Sequence, residues 1–525
     1  MDAKNPAARK GLLGFSIKRI DHTEDEMWWL RGFKSFPDHS KHYHPGSSIS
    51  TWNAPIQDFL WGDYTAKPGR DYTYVVVPRI GTPSDLGHGR AVTVDVRTER
   101  EDEGVHAVYF NRGVAGSQAY ARRFGNASPD DVGEPAFRWL SRGLAKGLSD
   151  FISSAKGPAW GLRASVYEFN YEPILEEFKR AIDRGADVRI VFDGKGAEPG
   201  NVNRSTLEQV GIGPEHAIPR TTNPSYISHN KFIVLLHKDR PVEVWTGSTN
   251  ITEGGLFGHS NVGHIVRDEV VAAAYHEYWK QLAGDPSAKA LRPWNDDRSP
   301  VPMPEPPSGS ITPIFSPRGS MEALDWYARR MEEARSSVFL TAAFGISEPF
   351  EKVLEEDRPY LRYVLLDKPG KGLDLIRHHH CNRISIGGVL KENIVDEWLH
   401  KRWTAERLTG LNGHVQYIHT KYMLIDPLSD DPWVISGSAN FSRNSTVNND
   451  ENMLVIRGNP RVVDMYLAEF MRLFDHFRFR GTALGAHASE RAGKDPGLHL
   501  KPDDSWIAPY FEAENPKAQQ RALFA

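Results

Sequence analysis

One short pattern occurs twice along this chain of 525 residues, with the same spacing both times. Ser228-His229-Asn230-Lys231 opens a β-rich run, Phe232 to Leu236, and Gly247-Ser248-Thr249-Asn250 follows it. Ile418-His419-Thr420-Lys421 opens a second run, Tyr422 to Asp426, followed by Gly437-Ser438-Ala439-Asn440. Eighteen residues separate His from Gly in both copies, and eleven separate Asn250 from Asn261 and Asn440 from Glu451. Two copies with no length difference imply an internal repeat, which constrains the whole fold. On a strand, residues i and i+2 share a face, so each His and its Lys point the same way. A lone His-x-Lys strand is ordinary. A pair, each with Gly-Ser-x-Asn behind it, predicts one site made by both copies.

The flanking sequence repeats too. Ala164–Phe169, a helical pattern over 174–182 and Val188–Asp193 are echoed by Val338–Phe344, a helix around 348–356 and Leu361–Asp367. Alternating helix and strand patterns predict an α/β fold, read as two repeated α-β-α sandwich halves forming one active site. Pro135 to Ile152 has helical spacing, with Pro135 placed for a first turn. The first hundred residues differ: Thr73–Val77 and Ala91–Val96 lie between Pro/Gly turns and predict a small all-β sandwich domain. Seven prolines from Pro293 to Pro313 predict an extended linker. The expected division is residues 1–104 as the β module, 105–292 and 314–480 as the halves, and 293–313 as the linker. Residues 481–525, with Ser505 to Phe511, are expected as a strap over the second half.

The paired motifs resemble the phospholipase D superfamily, whose halves each carry His-x-Lys-x-x-x-x-Asp and then Gly-Ser-x-Asn. The resemblance covers roughly residues 105–480. The hairpin Asp63 to Pro78 of the first domain also resembles a fibronectin type III turn and strand. The second motif is complete, with His419, Lys421, Asp426, Gly437, Ser438 and Asn440. The first departs from it, because Leu236 stands where Asp is expected. The resemblance implies a phosphodiester hydrolase working through a covalent phosphohistidine, with no metal and no cofactor. The chemistry needs these residue types: an anionic diester resists nucleophiles until positive charge and hydrogen-bond donors meet its oxygens. Lys231 and Lys421 supply charge, and Asn250 and Asn440 supply donors, with Ser248 and Ser438 supplying donors and orientation. One imidazole attacks phosphorus and the other handles the proton of the leaving oxygen and then of water.

Which histidine attacks stays open at this point. The resemblance implies His229. Glu451, matched to the family's supporting carboxylate, is expected behind His419, and Asn261 behind His229, which favours His419 as the more basic. Asp426 is expected to hold the motif together rather than touch phosphorus.

Composition narrows the substrate. Lys plus Arg is 64 and Asp plus Glu is 68, a net charge of −4 with pI about 6.6, which disfavours nonspecific nucleic-acid binding. A phospholipid is therefore the favoured substrate. A metal-independent endonuclease with the same core and a degenerate binding protein are the alternatives. One cysteine, Cys381, excludes an intramolecular disulfide. No apolar run approaches the length of a membrane span, and the reading is a cytoplasmic protein, with unconventional secretion left open. The clusters His39/His42/His44 and His378/His379/His380 are expected as loop residues rather than metal ligands.

Overall fold

Runs of Val, Ile, Leu and Phe become strands buried on both faces. The computed structural model describes residues 1–43, 48–113, 117–125, 127–223, 225–370, 372–387, 418–491 and 499–525. These divide into two compact units, one of residues 1–101 and 475–525, the other of residues 102–387 and 418–474.

The larger unit is mixed α/β and holds two sheets. Across the first, the strands run Ala217–Arg220, Asp187–Asp193, Trp160–Val166, Lys231–His237, Arg240–Gly247, Val262–Val266, His106–Phe110 and Asp102–Glu103. Across the second they run Asn382–Ile386, Leu361–Leu366, Ser337–Ala342, Tyr422–Ile425, Trp433–Gly437, Glu451–Arg457 and Ile311–Ser316. In each sheet the first three strands are parallel to one another, and each later strand is antiparallel to its neighbour. Both motif strands occupy the fourth place. Their histidines therefore sit at equivalent ends of equivalent strands.

The sheets meet through two parallel bridges, Ser228 with Asp450 and Ser260 with Ile418. Behind them, Tyr278 stacks on Phe315 with ring centres 4.4 Å apart, and Tyr275 meets the same ring edge-on at 5.1 Å. Asn452 accepts from Thr246 at 2.6 Å and donates to Asn230 at 2.8 Å. The seam is thus packed and hydrogen-bonded, as buried polar groups require.

Several expected boundaries move. The helix predicted from Pro135 is two helices, Glu134–Ser141 and Leu144–Ser153, because Arg142 and Gly143 turn left-handed between them. The Pro-rich stretch is not extended throughout. Helix Ala288–Arg298 takes its start, capped by Ser287 and anchored by buried Ala288, Leu291 and Asn295 despite Pro293. Strand Ile311–Ser316 takes its end, and Pro313 is tolerated there because that strand is the sheet's edge.

In the other unit, the described strands of residues 1–101 join one five-stranded antiparallel sheet and one two-stranded ribbon, rather than the two facing sheets of the expected sandwich. The C-terminal segment, expected over the second half, belongs to this unit. Trp506, Ile507 and Tyr510 are buried with Leu12, Phe15 and Phe59, and Trp506 Nε1 donates to the carbonyl of Leu12 at 2.9 Å. Aromatic burial of this size explains the choice of surface. The expected boundary at 480 falls inside one helix, Pro460–Arg491.

Candidate active site

The glycines of both Gly-Ser-x-Asn motifs exist for a close approach of main chains. A Cβ on Gly247 would lie 2.2 Å from the carbonyl oxygen of Val262, and one on Gly437 would lie 2.2 Å from that of Asn452. With no Cβ there, Ser248 and Ser438 reach equivalent places. Each serine oxygen accepts a main-chain N–H, from Val262 at 3.1 Å and from Asn452 at 3.0 Å. Each then donates within its own half, Ser248 to Asn261 at 2.8 Å and Ser438 to Glu451 at 2.7 Å. The serines therefore orient those two side chains, and the part expected of them as donors to phosphate passes to other groups.

Asn261 and Glu451 next reach across the seam. His229 Nδ1 meets both carboxylate oxygens of Glu451 at 2.9 Å, and His419 Nδ1 meets Asn261 Oδ1 at 2.8 Å. This reverses the expected pairing, in which Glu451 stood behind His419 and Asn261 behind His229. The reason is the bridging described above: His229 N–H donates to the carbonyl of Asp450, and His419 N–H to that of Ser260. Each histidine thus lies beside the other half's supporting residue. Because an acceptor faces each Nδ1, each ring carries its proton there and presents Nε2 outward.

Lys231 Nζ donates to the carbonyl of His229 and Lys421 Nζ to that of His419, both at 2.6 Å. Asn250 donates to Glu168, and its Oδ1, like that of Asn440, is buried with no hydrogen-bond partner among the described residues. Both histidines and both lysines thus meet at the seam, with Asn250 joined to them through Glu168, while Asn440 follows the end of the strand equivalent to that before Asn250. Asp426 is elsewhere: it turns left-handed at the strand end and accepts from the amides of Arg335, Ser336 and Ser337 at 2.7 to 3.1 Å. Leu236, in the equivalent slot, is buried in the first sheet opposite Gly161.

The site is buried, and burial governs its charge. Burial lowers His229 to about 4, with Glu451 opposing that and Lys231 adding to it. His419 is driven well below its ordinary value by burial and then by Lys421. His229 is therefore the more basic of the two, the reverse of the expectation. Burial lowers Lys231 to about 8, and burial with Lys231 nearby holds Lys421 well below its usual range. A site with these depressed cations gains most from an arriving anion.

Four residues were missed in the sequence reading. His259 meets the His419 ring edge-on at 4.8 Å, and burial lowers it to about 3. Tyr167 lies 5.0 Å from the His229 ring. Glu168 follows it at the strand end. Arg220 forms a buried bidentate pair with Asp450, at 2.8 to 3.1 Å, and so holds the residue next to Glu451. Only Glu168 had a usable signal, its place after the strand aligned with Lys231.

The second histidine cluster is engaged elsewhere. His379 and His380 face Asp357, at 3.3 and 3.8 Å, and Cys381 is buried against Arg362. His44 and the His42 side chain lie outside the described residues. Among the described residues, no group of three His, Cys, Asp or Glu side chains could hold a metal ion, and no helix is long and apolar enough to cross a membrane.

Residues 148–283 and 371–474 match a family model described as cardiolipin synthase, PLD-like domain. These stretches contain both histidines, both lysines, both asparagines and Glu451. The mitochondrial cardiolipin hydrolase of Drosophila melanogaster is 24% identical over 153 residues, 26% of this chain and 58% of that protein. Two solved structures resemble the chain. Polyphosphate kinase from Porphyromonas gingivalis has a TM-score of 0.41 at 13% identity, covering 64% of this chain and 48% of its own. Phosphatidylserine synthase from Haemophilus influenzae has 0.42 at 11%, covering 64% and 85%. The chain thus spans about half the length of the curated relative and of the kinase. Over the matched stretches the chain is similar to phospholipase D-like domains.

Proposed function

We propose that this protein hydrolyses a phospholipid, with the two motif-bearing sheets acting as repeated sandwich halves around one site. The observation that carries the reading is the crossed bracing, which leaves two imidazole Nε2 atoms beside two buried lysines. His229 is the nucleophile. Its Nε2 lone pair attacks phosphorus while Nδ1–H donates to Glu451, whose carboxylate stabilises the positive charge that grows on the ring. The bound diester's negative charge lets His419 take up a proton on Nε2 from solvent, the P–O bond to the leaving alcohol breaks, and that oxygen takes the proton from His419. His419 then takes a proton from water as the water oxygen attacks phosphorus, and the P–N bond breaks. Lys231, Lys421 and the asparagine amides hold the non-bridging oxygens. The lipid reading is supported by the near-balanced charge and by the names of the matched family and of the Drosophila relative.

The test is incubation of the purified protein with phosphatidylcholine micelles and with plasmid DNA, each in EDTA, beside His229→Ala. Release of the lipid headgroup that survives EDTA and vanishes in the variant is expected. Cutting of DNA without any lipid turnover would move the activity to the endonuclease alternative.

A further inference from the structure

Both motif strands are fastened at their start by a carboxylate outside the motif. Asp193 ends the second strand across the first sheet, and Asp367 follows the second strand across the other. Asp193 Oδ2 accepts the N–H of Ser228 at 2.9 Å, and Asp367 Oδ1 accepts that of Ile418 at 3.0 Å. Those amides belong to the residues directly before His229 and His419. The chain from aspartate to amide spans 35 residues in one half and 51 in the other. Equal length therefore does not make the match, and equal place in the sheet does.

Ser228 and Ile418 are also the residues that bridge the two sheets, to Asp450 and Ser260. Each aspartate thus holds the point where a motif strand enters the seam, one residue short of the imidazole. The motif's own Asp slot cannot do this, because it lies at the other end of the strand and holds Leu236 in one half. Both aspartates are 1% exposed, and a buried carboxylate is costly unless donors meet it. Asp193 meets further donors in the amide and the ammonium of Lys195, at 3.0 and 3.2 Å. A charged acceptor holds a main-chain N–H about twice as strongly as a neutral one. Such a hold matters where a small shift of a reacting group costs much of the rate.

Resting on the reading of His229 as nucleophile and His419 as acid, we propose that Asp193 and Asp367 are positioning residues, one for each imidazole, acting through the amides of Ser228 and Ile418.

The experiment measures release of the leaving group in a single turnover, with protein in excess, from bis(p-nitrophenyl) phosphate and from diphenyl phosphate. Phenol leaves with a proton from His419, whereas p-nitrophenolate leaves without one. Asp367→Ala should slow diphenyl phosphate by roughly tenfold to a hundredfold and leave the nitrophenyl diester nearly unchanged. Asp193→Ala should slow both alike, since both need His229. Asp367→Asn, which keeps an oxygen for the amide of Ile418, should recover most of the loss. Circular dichroism checks folding, and where an alanine variant is unfolded, serine takes its place, its shorter side chain falling short of the amide. Equal slowing of both diesters in Asp367→Ala, or Asp367→Asn no faster than Asp367→Ala, would overturn the proposal. A leaving-group split in Asp193→Ala instead would uphold the positioning and overturn the assignment of His229 as nucleophile. No cleavage of either diester by the unmodified protein would overturn the phosphodiesterase reading, and the proposal with it.

Discussion

The two halves of the site share a main-chain frame and differ in what stands behind each histidine. In both, a glycine lets a serine approach, the serine orients a side chain, and that side chain crosses the seam to the other half's imidazole. One crossing ends in a carboxylate and the other in an amide. On the proposed mechanism, that single chemical difference divides two equivalent imidazoles into an attacker, whose developing charge is balanced, and an acid, whose proton is held loosely.

The largest effect should come from removing either imidazole. His229→Ala and His419→Ala should each lower kcat by about a thousandfold or more on a diester with an alcohol leaving group. The double variant should be little worse than either single one, because the two act as a unit. Multiplicative losses in steady-state rates would show instead that the halves work separately.

Exchanging the crossing residues should sharpen the division. Glu451→Gln should lower kcat by about a hundredfold and move the alkaline limb of the kcat/KM profile to lower pH, because His229, the more basic ring and the one that must be unprotonated, loses the group that opposes its depression. Asn261→Asp should raise His419, the less basic ring, and move the acid limb upward. Limbs that move the other way round would restore the pairing within each half.

The Asp slot distinguishes the halves by stability rather than by chemistry. Leu236→Asp puts a carboxylate into a buried strand and should cost about 3 kcal/mol or more in urea denaturation. Asp426→Asn removes the charge and one of the two oxygens that accept from three amides, and should cost about 1–3 kcal/mol. Neither should move the pH limbs.

A smaller effect concerns acid. His229, His259 and His106 are lowered to about 4, 3 and 4, chiefly by burial. For such a group the unfolded chain binds the proton more readily. Its contribution is present above the unfolded value near 6.5 and is lost as pH falls towards the folded one. The urea midpoint should therefore drop between pH 6.5 and 4, by up to about 1.4 kcal/mol per histidine per pH unit. A midpoint that holds steady down to pH 4 would mean these rings are hydrated.

Much of this was legible in the sequence, for a physical reason. Strand periodicity and exact repeat length are local, so the pairing of His229 and Lys231 with His419 and Lys421 could be expected from spacing and resemblance. The crossing could not. Asn261 and Glu451 lie the same distance in sequence from their own histidines, and only the pairing of Ser228 with Asp450 and Ser260 with Ile418 reverses their partners. The destination of Trp506 was hidden for the same reason: an aromatic segment declares that it will be buried, not against which surface. Pro293 misled in the opposite direction, since proline composition suggests extension while buried Leu291 and Asn295 hold a helix.

The assignment of His229 as nucleophile rests on Glu451 crossing the seam, and trapping tests it most directly. The protein is mixed with a diester labelled in its phosphate, quenched at alkaline pH to preserve phosphohistidine, and the label mapped by peptide. Label on the peptide containing His229, absent in His229→Ala, is the predicted result. Label on the peptide containing His419 would contradict it.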